Sequence, residues 1–162
     1  MTDHELLQEI HDRFPPRALD PDQAFDPQGG SYLNIDEFRR DSRGCTWEEL
    51  DLKFLRFHYD SLQQLSPSGF VDYVPAFLAI MIRDRPHVDI IPLAVLAAVT
   101  PSPIPSIAAR YKERIHALND GQKTTILNVI AHLKAAETDE VDRERMDKAV
   151  QEIHAHIKER AT

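Results

Sequence analysis

The sequence predicts an all-α fold, a single-domain bundle of about seven helices around one proline-bent central helix. Apolar residues recur at intervals of three and four positions in most segments, and Ser, Thr, Asn or Asp stands before several of these segments as a helix cap. The 162 residues, 42% hydrophobic and 28% charged, suit one soluble core. We therefore expect residues 1–162 to form one helical domain.

The first predicted helix covers residues 3–13 and leads into a connection. Thr2 and Glu5 have the spacing of a capping box, and apolar residues follow at helical intervals. Residues 15–32 are rich in Pro, Asp and Gly, which predicts an extended, solvated connection. The aspartates of this connection do not have the register of a calcium-binding loop, so we expect no metal there.

The next segment predicts further helical structure. Residues 32–38 fit a short helix and a strand equally well, and their periodicity leaves the choice open. Thr46 and Glu49 repeat the capping-box spacing, so Trp47 is expected to begin a helix and to anchor it in the core. Helical material is expected to continue over residues 52–65.

The predicted central helix begins at Ser66, which can cap it, with Pro67 at its first position. Pro75 lacks an N–H group and its ring opposes the carbonyl of Val71, so the helix should bend or restart near Val74. The expected buried face comprises Phe70, Tyr73 or Val74, Phe77, Leu78 and Met81.

The C-terminal half predicts four more helices. Residues 88–99 are almost entirely apolar and predict a buried helix at the centre of the molecule, beginning near Asp89. A helix is expected to resume about Ser106, and Asn119 or Asp120 is expected to cap the next one.

Residues 138–162 predict a charged C-terminal helix with a narrow apolar stripe. Such a helix packs on the edge of the bundle or forms a dimer seam, so the chain is expected to be a monomer or a homodimer. The expected stripe comprises Val141, Arg145, Ala149, Ile153 and Ile157, with Met146 and Val150 beside them.

The charge of the chain is unevenly distributed. The formal net charge is −8, and residues 1–66 contribute −7 of it, from 7 Lys and Arg against 14 Asp and Glu. An acidic surface repels phosphate groups, so we expect neither nucleic acid nor an anionic membrane as a partner. Prolines and charges interrupt every apolar run, and the N-terminus lacks a signal-like pattern, so the protein is expected in the cytoplasm.

The sequence contains no recognisable catalytic or metal-binding constellation. His4 and His11 are seven residues apart on one helix, about 10 Å along its axis, which is too far to share a metal. His154 and His156 are two residues apart and fall on different helix faces. The four remaining histidines have no carboxylate or cysteine at ligand spacing, so we expect no metal and no cofactor.

The order of several structural motifs resembles that of a family of small uncharacterised bacterial proteins. Trp47 is followed by Leu-Ser-Pro at 65–67, by Phe70, and by Tyr-Val-Pro-Ala-Phe-Leu at 73–78, with Gln122 in a later helix. The N-terminal Phe-Pro-Pro-Arg at 14–17 also resembles this family. The resemblance covers roughly residues 5–135 and implies a fold but no reaction, because its motifs are structural.

The leading functional hypothesis is a non-catalytic interaction protein, an immunity protein that neutralises a basic toxin. Acidic side chains before residue 66 would accelerate the encounter with such a partner and contact its basic groups. The candidate partner-binding residues are Asp20, Asp22, Asp26, Tyr32, Asp36, Glu37 and Asp41, with Tyr32 as the aromatic anchor. The alternative is an enzyme or small-ligand protein with a pocket near Trp47, Tyr73 and Tyr111.

Overall fold

The computed structural model describes residues 1–27 and 32–160, and within these ranges the chain forms eight α-helices and no strand. The all-α class is therefore confirmed. The helices are α1 (Asp3–Arg13), α2 (Ile35–Ser42), α3 (Leu52–Phe57), α4 (Pro67–Arg83), α5 (Ile91–Ala98), α6 (Pro105–Ala117), α7 (Asp120–Ala136) and α8 (Glu140–Arg160). Short 3₁₀ turns cover Trp47–Glu49, Tyr59–Gln63 and Arg85–His87.

Helix α4 lies at the centre and contacts α1, α3, α5, α6 and α7. Ser66 caps it by accepting a hydrogen bond from the Gly69 amide at 3.0 Å, as expected. All residues from Tyr73 to Ala79 are buried. The helix continues through Pro75 without a break, so the predicted restart near Val74 is wrong, and the predicted bend stays a prediction.

The connection after α1 is packed on the start of α4 over residues 15–27. The Ser66 amide donates to the Ala24 carbonyl at 2.8 Å, and the Ser66 hydroxyl donates to the Gln23 carbonyl at 2.8 Å. A Cβ atom on Gly69 would lie 2.3 Å from the Ala24 carbonyl oxygen, so this contact requires glycine. The prediction of a solvated connection is therefore wrong for the buried Leu19, Ala24 and Phe25, whereas the polar residues between them, Asp20 and Asp22, are exposed as expected. Residues 28–31 lie outside the described ranges.

Residues 32–65 fold as short helical pieces around the core. The sequence allowed either a helix or a strand at residues 32–38, and the structure has a helix there, α2, which begins at Ile35. The capping box of Thr46 and Glu49 is present, but it opens a single 3₁₀ turn, and the helical material after it is divided at His58. Trp47 is buried, and its indole N–H donates to the Phe14 carbonyl at 2.7 Å.

The C-terminal half follows the prediction in outline. Asn119 caps α7 through a complete capping box with Gln122. Helix α5 begins at Ile91, two residues after Asp89 adopts a positive φ of 45°. Ala97 of this helix is exposed, so α5 is buried on one face only and the central position belongs to α4.

Helix α8 lies on the edge of the bundle and contacts α5, α6 and α7. Its buried face comprises Met146, Ala149, Ile153 and His156. Val141 is 55% exposed and Arg145 is also exposed, so these two do not belong to the stripe as predicted. The buried part of the stripe packs against the chain's own bundle. This confirms that α8 is a peripheral helix of the bundle, while the oligomeric state stays a prediction. None of the described helices is both long enough and apolar enough to span a bilayer.

Candidate protein-binding surface

Six buried rings, which we call the aromatic cluster, position the acidic N-terminal half. Phe38 lies at its centre, with ring centroids 4.7 Å from Tyr73 and 4.9 Å from Phe25. Because Phe38 is fully buried, it fixes the orientation of α2 and turns the charged side of this short helix outward. The cluster comprises Phe25, Tyr32, Phe38, Phe54, His58 and Tyr73.

Two hydrogen bonds satisfy the polar ends of the aromatic cluster. Ser42 donates to the Phe38 carbonyl at 2.8 Å, so the Tyr73 hydroxyl, 2.8 Å from Ser42 Oγ, must be the donor of the second bond. The Tyr32 hydroxyl lies 2.6 Å from His58 Nδ1. Burial raises the pKa of Tyr73 to about 12 and raises that of Tyr32 as well, so both hydroxyls stay protonated.

His58 connects the aromatic cluster to the acidic surface. Burial lowers the pKa of His58, while Asp41, Asp60 and Glu37 act in the opposite direction and so surround it with negative charge. Its Nε2 atom is buried without a hydrogen-bond partner. A neutral imidazole is therefore the stable form at neutral pH.

The structure separates the seven candidate residues into groups. Asp22 is bound by Arg43 through two bonds of 2.8 and 3.0 Å, and Asp41 is bound by the adjacent Arg40 at 2.8 Å. These contacts hold the pKa of both carboxyl groups below the ordinary value.

Tyr32 is not the surface anchor that the sequence predicted. It is 5% exposed, its ring stacks on Phe25 at 5.5 Å, and its hydroxyl is bonded to His58. It acts as a core residue because the rings of Phe25, Phe38 and His58 pack around it.

The other candidates keep their charge available. Within residues 1–27 and 32–160, no ion pair engages Asp20, Asp26, Asp36 or Glu37. Asp36 and Glu37 form the first turn of α2, where carboxylates are stabilised by the helix dipole. Asp20 and Asp36 are exposed, and Asp26 and Glu37 are half-buried.

An open cavity of about 480 Å³ lies between α2 and α3, and of the candidate residues Asp41 lines it. Phe57 is 55% exposed at its edge and so offers an apolar ring to a partner. We call Asp36, Glu37, Asp41, Phe57 and Asp60 the α2–α3 surface. The cavity is lined by Arg40, Asp41, Glu49, Leu50, Asp51, Lys53, Phe54, Phe57 and His58.

The aromatic pocket of the alternative hypothesis does not form. Tyr73 and Tyr111 are 0% and 2% exposed, in the core. Trp47 lines a separate cavity of about 220 Å³, over which Arg17 forms an ion pair with Asp72. The three aromatic residues therefore do not converge on one site.

The fold also brings together a group that the sequence analysis missed. Ligand atoms of His116 in α6 and of His156 and Glu159 in α8 all lie within 4.8 Å of one another. The spacing of His156 and Glu159, three residues apart on a helix, was the available signal, because it places both on one face. The contribution of His116 depends on how α6 packs on α8.

Comparison of the chain with family models, with curated proteins and with solved structures gives no match. The resemblance to a family of uncharacterised bacterial proteins thus stays a prediction. Function must be inferred from the geometry and charge of the surface itself.

Proposed function

We propose that this chain is a non-catalytic interaction protein that binds and neutralises a basic protein, in the manner of an immunity protein and its toxin. The observation that carries the proposal is the α2–α3 surface, where an exposed aromatic ring stands among carboxylates beside an open cavity. Protein interfaces typically combine such an apolar anchor with a charged rim.

The charge of this region supports a basic partner. Residues 1–66 contribute −7 of the net charge of −8. A positively charged partner would associate faster with this acidic region. Negatively charged molecules, such as nucleic acid, would be repelled by it. We propose that the encounter takes place in the cytoplasm.

The rigidity of the surface is a second support. Phe38 is fully buried behind Glu37, and the bond between Ser42 and Tyr73 ties the end of α2 to the central helix. A charged surface that is already held in its bound arrangement loses less conformational entropy on association. This suits a protein whose role is to bind rather than to react.

Capture of the partner tests the proposal. The full chain is used to isolate its partner from the native host, and the captured protein is then expressed alone and with the chain. We expect a stoichiometric basic protein that arrests growth when alone and is harmless when the wild-type chain is present. Asp36→Asn/Glu37→Gln should weaken the purified complex at least tenfold, with a smaller dependence of affinity on salt.

A charge-matched variant provides the control. Glu140→Gln/Glu144→Gln removes two exposed carboxylates from α8 and should leave the affinity within twofold of wild type. If both variants lost the same affinity for the partner, the loss would come from the net charge of the chain and not from the position of the carboxylates. That result would overturn the assignment of the surface. A captured protein that has no toxicity, or whose toxicity the chain does not relieve, would overturn the immunity role.

A further inference from the structure

The strongest unassigned feature of the molecule is the group formed by His116, His156 and Glu159. Two elements distant in sequence contribute it, with His116 in the last turn of α6 and the other two near the end of α8. Two imidazoles and one carboxylate form the ligand set that Zn²⁺ uses when it keeps a fourth position for water.

The distances within the group fit a metal of this size. The Nδ1 atom of His156 lies 3.4 Å from a carboxylate oxygen of Glu159. Ligands bound at 2.0–2.1 Å in a tetrahedron are about 3.3 Å apart, so these two atoms already have the required separation. The largest separation in the group, 4.8 Å at most, requires a shift of His116 or Glu159, and both of these side chains are exposed.

The burial of His156 is a second, independent observation. This residue is 8% exposed, and its Nδ1 atom makes no hydrogen bond, although it lies at ion-pair distance from Glu159. A buried nitrogen without a hydrogen bond costs free energy that a bound cation would recover. The neighbouring Tyr111 hydroxyl is also buried without a hydrogen bond, and its ring lies 5.6 Å from that of His156.

The charges around the group are mixed. Glu159 and Glu152 act on His156 from α8 with negative charge, whereas Lys123 of α7 acts with positive charge. Lys123 is fully buried and lies 3.5 Å from Asp120, which offsets its charge. Glu159 supplies its negative charge as a ligand, while Glu152 and Asp120 offset the positive charge of Lys123.

We propose that His116, His156 and Glu159 bind Zn²⁺, with water as the fourth ligand, and that the metal clamps the end of α8 to α6. The site is separate from the α2–α3 surface, so it does not depend on the proposed function. The clamp would hold the part of α8 where the apolar stripe ends, since Ile153 is its last fully buried aliphatic residue.

Titration of the full chain, free of any histidine tag, with Zn²⁺ tests the site. We expect one equivalent to bind and to raise the unfolding temperature, and Co²⁺ to give the visible absorption of a tetrahedral complex. His116→Ala and Glu159→Gln change exposed residues and so should fold normally, and each should weaken Zn²⁺ binding by at least about 100-fold.

His154→Ala is the matched control, because His154 lies on the same helix but on its exposed side. It should bind Zn²⁺ with wild-type affinity. No stoichiometric binding by the wild-type chain, or binding that survives both His116→Ala and Glu159→Gln, would overturn the proposal. Loss of binding in His154→Ala would equally overturn it, because the ligand set would then be different.

Discussion

The aromatic cluster of the N-terminal half and the interface of α6, α7 and α8 differ in whether their buried tyrosine hydroxyls are hydrogen-bonded. In the cluster, the hydroxyls of Tyr32 and Tyr73 both have partners. At the C-terminal interface, the Tyr111 hydroxyl makes no hydrogen bond, and His156 Nδ1 has only its 3.4 Å ion-pair contact with Glu159. The hydrogen-bonded tyrosines help to hold the N-terminal surface rigid, whereas the unsatisfied Tyr111 hydroxyl belongs to a residue that packs against His156 of the proposed zinc site.

Buried cations sharpen this difference. Arg114 is 1% exposed, donates to the Gln63 carbonyl at 3.0 Å and lies 5.8 Å from the centre of the Phe70 ring. Burial lowers its pKa to about 10, and the guanidinium nevertheless stays protonated at neutral pH. The C-terminal half therefore carries positive charge inside, while the N-terminal half carries negative charge outside.

The largest expected effect comes from the centre of the aromatic cluster. Phe38→Ala should lower the free energy of unfolding by about 4 kcal/mol, because it removes a fully buried ring and leaves a cavity among five others. Urea denaturation monitored by circular dichroism measures this. Leu33→Ala, at a position that is 91% exposed, should change the value by less than about 0.5 kcal/mol. If Phe38→Ala lowered the free energy of unfolding by less than about 1 kcal/mol, the aromatic cluster would not be the main stabilising core of the N-terminal half.

The next effect concerns the contact between the connection and α4. Gly69→Ala should cost about 2 kcal/mol, because the added Cβ would lie 2.3 Å from the Ala24 carbonyl oxygen and displace the segment. The same urea titration measures this loss. In a solvated helix the substitution would instead stabilise by up to about 1 kcal/mol, so an increase in stability would contradict the observed packing.

A pair of tyrosine variants compares the two halves directly. Tyr73→Phe should cost about 1 to 2 kcal/mol, because it removes the donor of the bond to Ser42 inside the core. Tyr111→Phe should leave stability unchanged or raise it slightly in metal-free buffer, because that hydroxyl is buried without a partner. Both values come from chemical denaturation, and equal losses would contradict the contrast between the halves.

The smallest effect is a pH dependence carried by His58. Burial lowers its pKa in the folded state, so below its unfolded pKa of about 6.5 the unfolded chain binds a proton that the folded chain resists. This contribution to stability is fully present above pH 7 and decreases as the pH falls toward 5. His58→Asn retains an acceptor for Tyr32 and should lose less stability over that range. If the stability of the wild-type chain and of His58→Asn fell equally as the pH was lowered, His58 would not be the source of this pH dependence.

Local patterns in the sequence determined most of the helix starts. The capping boxes of Thr2 with Glu5 and of Asn119 with Gln122 form as their spacing predicts, because both partners lie within one helical turn. Ser66 with Pro67 likewise sets the start of α4. Seven consecutive residues were too few to choose between helix and strand at 32–38, where the burial of Phe38 against distant rings decided the outcome.

Only the tertiary structure shows which candidate residues are exposed and which of them come together. The sequence put acidic residues before position 66 but could not show that Tyr32 turns inward or that Phe57 turns outward, because exposure depends on neighbours far along the chain. Nor could it bring His116 to Glu159, since 43 residues separate them. Hydrogen bonds within a turn are local and can be read from spacing, whereas burial and convergence depend on which helix faces meet.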